Sequence, residues 1–209
     1  MFYINAAAVA AQLHKAKKIA QRVMLASSNA GVLAFRAGQS AAGFGALTSF
    51  ISELAKKTVK MSDEINTIAI DISKLSTYSL STQSASEKMH WVMKNAERSS
   101  HNSAHIESLV KPMMQVDALL EEQEMAIAAK VRQLSEQLSE MKKELSSAKI
   151  IGTMSLMEST QAESQHRAAL ADNAKNIVDA ATEIEQHVDT SLALMKAALL
   201  AQKSNNTGI

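Results

Sequence analysis

Cysteine is absent from the chain, and proline occurs once, at Pro112. Without thiols there is no disulfide staple and no thiolate metal site, and the composition fits a reducing compartment. Glycine occurs six times, with none between Gly45 and Gly152. A glycine-free stretch that long, rich in Ala, Ser, Leu, Glu, Lys and Met, predicts long helices on propensity alone. Aromatic residues make up 3% of the chain, too few for an ordinary globular core of 209 residues. Burial must then come from aliphatic and Met side chains along extended seams, and the expected shape is a rod. Long apolar runs are missing too. The longest uncharged run, Ala37–Ser52, is shorter than the roughly 20 apolar residues of a spanning helix. The start, MFYINAAAVAAQL, lacks a basic n-region. A cytoplasmic protein with no membrane span is expected.

Periodicity supplies the architecture. From Val110 to Ala148, apolar residues recur at alternating steps of three and four, a heptad seam interrupted by Asp117 and Glu124, which either weaken it or set its register. A second seam runs from Leu170 to Ala198 and is rich in small residues. Gly152 is the only helix breaker between them, so an antiparallel hairpin turning near Ile150–Thr153 is the simplest connection. Earlier in the chain, a helix from about Asn5 to Ala37 and one starting at Phe44 bracket a turn near Gln39–Ala42, which sets Met1 beside Leu80. Pro112 predicts a kink or break at Leu109–Pro112. The fold class is all-α: long antiparallel helical hairpins forming an elongated coiled coil or four-helix bundle. Residues 1–80 make one hairpin and residues 81–209 a coiled-coil region with the second.

Acidic charge is absent from the first 52 residues, where Lys15, Lys17, Lys18, Arg22 and Arg36 stand alone. Such a basic segment steers toward an acidic protein surface, nucleic acid or anionic lipid. With no aromatic interleaving and no binding motif, it makes a weak nucleic-acid footprint.

Enzymatic signals are equally thin. His101 and His105 have a zinc-compatible i, i+4 spacing but no HExxH glutamate or third ligand; exposed polar histidines explain them better. There is no P-loop, no GxGxxG after a strand, no GxSxG and no nucleophile with an adjacent base. No catalytic residue, metal or cofactor is assigned. Met89, Met93, Met113, Met114, Met154 and Met157 read as seam filler, and Trp91 as a packing anchor.

One stretch is distinctive. Residues 19–58, IAQRVMLASSNAGVLAFRAGQSAAGFGALTSFISELAKKT, run apolar helix, Arg36-Ala37-Gly38, Gly43-Phe44, apolar helix. Together with Leu25, Asn29-Ala30, Val32, Ala34 and Leu54-Ala55, these residues resemble the hairpin tip of bacterial methyl-accepting chemotaxis receptors. The resemblance implies signalling by contact, because in that family the tip is where receptors pack on each other and where a coupling protein and a histidine kinase dock. The implied partners are therefore chemosensory receptors, coupling protein or kinase, with a homo-oligomer, a dimer, as the assembly. The implied contact residues are Leu25, Asn29, Val32, Leu33, Arg36, Gln39, Phe44 and Leu47. On residue chemistry alone, Gly38 and Gly43 bracket a turn, Leu25 and Val32 fit core packing, Asn29 is a register pin or a docking group, and Phe44 caps the hairpin core.

The departures from the family pattern are specific. Leu33 and Gln39 stand where glutamates are usual, Ala42 where a basic residue is usual, Phe35 replaces a small alanine, and Gln21 replaces a phenylalanine. The family's acidic tip groups are gone and an exposed apolar residue, Leu33, is expected in their place. The family is also adjusted by methyl esterification, and Ala181–Thr190 approaches that pattern, making Glu185 and Gln186 candidate modification sites. Neutralising a carboxylate there would relieve repulsion between helices. The leading expectation is a noncatalytic receptor-like signalling or scaffold protein. The alternative is a structural coiled-coil assembly protein with no chemosensory role.

Overall fold

The computed structural model describes residues 2–96 and 103–206, with side chains for 4–96 and 107–200. The described residues form four long helices, α1 (Phe2–Ala37), α2 (Ala42–Ala96), α3 (Ser103–Ser159) and α4 (Ser164–Asn206), with a 3₁₀ turn, Gly38–Ala41, between α1 and α2. The protein is all-α. Its helices form an up-down-up-down bundle in which α1 and α3 occupy opposite corners.

The buried residues explain the packing. On α1 they fall at Ala6, Val9, Leu13, Ala16, Ala20 and Val23, the alternating three-four spacing of a coiled-coil seam. Matching seams on α2 (Ile51 to Ile72), α3 (Ile127 to Ala148) and α4 (Leu170 to Ala198) converge on one axis. Residues of all four helices share the main core, so the two hairpins are halves of one bundle. Ion pairs fix the register at every interface: Lys17–Asp63 between α1 and α2, Lys57–Glu144 and Lys130–Asp71 between α2 and α3, Lys142–Asp189 and Lys149–Glu185 between α3 and α4, and Arg22–Glu183 between α4 and α1. The Lys17–Asp63 pair gives the α1/α2 register expected from the turn at Gln39–Ala42; Met1 itself lies outside the described residues.

Two of these lysines, Lys57 and Lys142, hold their protons more tightly than usual, chiefly through hydrogen bonds to Glu144 and Asp189. A pKa raised on folding contributes stability that is present below the ordinary lysine value and is lost as pH climbs through the folded value. Melting temperature should therefore decline as pH passes about 10.5, modestly because the pairs are exposed. Melts of Lys142→Met across that range should show a shallower decline.

The second turn is not where the glycine suggests. Helix α3 runs through Ile150–Thr153 to Ser159, and the reversal occupies Thr160–Glu163. It closes without glycine, through backbone bonds from Thr160 to Met157 (3.1 Å) and Gln161 to Glu158 (3.0 Å), while the Ser159 and Thr160 hydroxyls donate to Leu156 and Met157 carbonyls. Gly152 is buried mid-helix because α4 comes close. A Cβ there would sit 2.7 Å from Val178 Cγ2 and 3.4 Å from Ile177 Cγ2. Val178 is β-branched and cannot swing aside. Gly152→Ala should cost about 1 kcal/mol net, overpacking of about 1–3 kcal/mol outweighing the helix-propensity gain. Gly45→Ala, whose Cβ would meet Ala34 at an ordinary 3.7 Å, should stabilise by about 0.5 kcal/mol. Paired denaturant titrations would check both signs.

Pro112 likewise does not break the helix: α3 passes through it, α2 ends at Ala96 and α3 begins at Ser103, and residues 97–102 lie outside the described residues. Leu109 shares the face of α3, at heptad spacing, that brings Lys130 to Asp71. A break at Leu109–Pro112 would lift that face off α2.

Because α2 and α3 are longer than α1 and α4, they continue beyond the bundle as a two-helix extension, about 80–96 of α2 beside 107–125 of α3. Among the described residues of α2 and α3, buried apolar side chains stop at Ile72 and Ile127. Near that level Ser76 Oγ and Gln123 Oε1 are buried without a hydrogen-bond partner. Farther out, Asp117 accepts from Ser86 Oγ at 2.6 Å and lies 3.6 Å from His90 Nε2. Asp117 thus sets register between α2 and α3. Trp91 is 68% exposed on this extension and does not anchor packing.

Candidate functional site

The resemblance points to the Gly38–Ala41 end, and the bundle brings a second element there. The Thr160–Glu163 turn closes at the same end, with Ala162 buried against the α1/α2 tip. Gly38 is left-handed (φ 69°), a conformation that glycine alone adopts without strain, so the turn reading of Gly38 holds. Gly43 differs: it is helical and exposed, and a Cβ there would meet the carboxylate end of the Glu158 side chain of α3, which can swing aside. Glu158 thus lies over the start of α2. There the Glu158 carboxylate also meets the positive end of the helix dipole.

Phe44 is 0% exposed and fills the tip core among Ala30, Ala34, Ala37, Ala41, Ala162, Leu170 and Ala174. It caps the hairpin core and presents no surface to a partner. Leu33 is half-buried against this cluster rather than standing free, because its helical position faces the second hairpin. Leu47 is half-buried as well.

The remaining residues come together on the outside. Leu25, Asn29, Val32 and Arg36 follow steps of four, three and four and are all exposed, so they form an outward stripe beside the inward seam of α1. This position corrects the core-packing reading of Leu25 and Val32, and it makes Asn29 a surface group rather than a register pin. Gln39 is exposed at the turn. Phe35, noted in the sequence only as a replacement, is the most exposed large apolar side chain among the described residues at 88%, and it overlooks a shallow groove lined by Gly31, Ala34, Gly38, Gln39, Ala42 and Gly45. Across the bundle, α3 carries a second exposed stripe at the same spacing, Ile150, Met154 and Met157. These methionines are not seam filler. The signal for both stripes was a second three-four repeat offset from the core repeat.

Two further expectations change with the geometry. The basic residues of α1 are not clustered at an end: Lys17 is paired with Asp63 and Arg22 reaches Glu183 at 3.9 Å, while Arg36 alone sits at the tip. Glu185 faces Lys149, and only 17% of its side chain is exposed, so neutralising it would remove an attraction between α3 and α4 rather than a repulsion. Gln186 is exposed next to it. His101 and the His105 side chain lie outside the described residues. Among the described residues no group of three or more His, Asp or Glu could hold a metal ion, and no helix is long and apolar enough to cross a membrane. Ser86, His90 and Asp117 are in mutual reach, but Asp117 accepts from the serine instead of orienting the histidine. In comparisons with known proteins, the chain matches no protein family, no curated protein and no solved structure.

Proposed function

We propose that the protein is a noncatalytic, receptor-like signalling or scaffold component of a bacterial chemosensory system, working in the cytoplasm through helix contacts at the tip. The observation that carries this reading is the exposed stripe Leu25–Asn29–Val32–Arg36 with Phe35 beside it, on the segment that resembles the receptor tip. Apolar residues repeated at helical spacing on an outer face are how one helix offers itself to another. A bulky ring beside a groove of small residues adds a knob and a socket, the arrangement from which interface hot spots are built. With the family's acids missing, the partners that fit best are other receptor tips or a coupling protein with an apolar docking face; the histidine kinase is third.

The test uses the purified protein with receptors, coupling protein and kinase from the same cell. Phe35→Glu and Arg36→Glu change exposed side chains, so fold and melting temperature should hold while association falls at least tenfold. Leu33→Glu is unsuitable because it would disturb the tip core. Absence of association by the unaltered protein, or indifference to both changes, removes the tip from the function. A structural coiled-coil role is the second reading, favoured by the uncovered α2/α3 extension. It predicts assembly that Phe35→Glu leaves intact.

A further inference from the structure

The two-helix extension is half of a four-helix bundle. In the body, each of α2 and α3 has a flank covered by α1 or α4. Above Ile72 and Ile127 that cover stops while the heptad pattern goes on. Leu80 occupies, seven residues on, the α2 position that Val59, Asn66 and Ser73 hold half-buried in the body. Met114 occupies the α3 position that Lys142 and Lys149 use to reach α4, and it is 65% exposed. Val110, Leu119 and Trp91 are exposed on the same segment.

We infer that a second copy of this chain covers this face, its own extension lying antiparallel on the first about a two-fold axis perpendicular to the rod. Three observations select that occupant. First, polarity: α1 is antiparallel to α2 and α4 to α3, and a perpendicular two-fold places α2 of the partner antiparallel to α2, and α3 of the partner antiparallel to α3. The bundle therefore continues through the joint with every helix direction preserved. Second, space: a parallel copy in the same groove would run its body into α1 and α4, whereas an antiparallel copy runs away from them.

Third, charge: among the described residues the outer part of the extension carries Lys94 and Lys111 against one acid, Glu107, the inner part carries Asp117, Glu121, Glu122 and Glu124 with no Lys or Arg, and Glu87 and Lys88 stand side by side at the middle. Antiparallel overlap sets the basic outer part of each copy on the acidic inner part of the other, and Lys111 meets the level of Glu121 and Glu122 of the second copy. Head-on overlap would set like charge on like. The result is a rod with a tip at each end.

The absence of cysteine makes the test direct. Ala118→Cys lies on the open flank near the two-fold, and Asn29→Cys lies at the tip. Spin labels at position 118 should be within about 25 Å of each other between copies, whereas labels at position 29 should be more than about 100 Å apart, from a rise of about 1.5 Å per residue along α2. Sedimentation of the whole chain should show a concentration-dependent dimer. Lys111→Glu should weaken it at least tenfold, and mixing that variant with Glu121→Lys/Glu122→Lys should restore it. These substitutions are on exposed residues, and helicity by circular dichroism confirms that the variants fold. A monomer at all concentrations, a dimer indifferent to Lys111→Glu, or a short distance between position-29 labels would each overturn the proposal. The last would signal a tip-to-tip or side-by-side dimer instead.

Discussion

Phe44→Ala should cost about 3–5 kcal/mol, the range for truncating a fully buried aromatic ring, out of a total stability on the order of 5–15 kcal/mol. The value belongs at the upper end because of what surrounds the ring. Six of the seven buried residues clustered with Phe44 are alanines, and alanine has no side chain to swing into a vacated space. The hole would stay, and with it goes the contact between the first turn and the second, since Ala162 and Leu170 pack in the same cluster. Denaturant titration gives the size of the loss. Hydrogen exchange gives its location, with protection expected to fall first around Ala34–Thr48 and Ala162–Ala174. A loss under about 1 kcal/mol would mean that the two turns do not share a core. Phe44→Leu keeps most of the volume and should cost less than half as much.

Leu138→Ala and Leu120→Ala test the bundle's cross-section with one chemical change at two points of a single heptad seam. Leu138 is fully buried where four helices meet, and its truncation should cost about 2–5 kcal/mol. Leu120 sits 18 residues earlier in the same repeat, half-buried on the two-helix extension. There water can relax into the space, so less than half that loss is expected in the monomer. Equal losses would mean that the extension is covered in solution at the concentration used. Repeating the Leu120→Ala measurement at several concentrations separates an intrinsic core from one completed by a second chain.

The sequence made the seams legible because each obeys one repeat: the inward faces of α3 from Ile127 and of α4 from Leu170 are the residues that periodicity selects. It misplaced the second turn because glycine has two uses in a helical protein. At Gly38 it supplies a left-handed φ, and at Gly152 it makes room for Val178. Only the position of α4 distinguishes them. The actual turn, Ser159-Thr160-Gln161-Ala162-Glu163, uses hydroxyl-to-carbonyl bonds whose donors look like ordinary helix residues. The site was legible in part for a related reason. Leu25 and Val32 are apolar at helical spacing, which describes a core stripe and a surface stripe equally well; the phase relative to Ala30 and Ala34 decides, and it turns them outward. Leu33 went the other way, because the surface its face would have shown to solvent is occupied by a hairpin more than a hundred residues distant in sequence.

The closure of Gly38–Ala41 and Thr160–Glu163 at the same end means that one polypeptide completes the cross-section of the tip. Dilution cannot dissolve such a tip, and chains mixed in a cell cannot exchange halves of it. Its two outer stripes are also free to differ, as Leu25–Asn29–Val32–Arg36 and Ile150–Met154–Met157 do. A tip assembled from two identical chains must show the same face twice, whereas this one can grip unlike neighbours on its two sides and so impose a direction on whatever it joins.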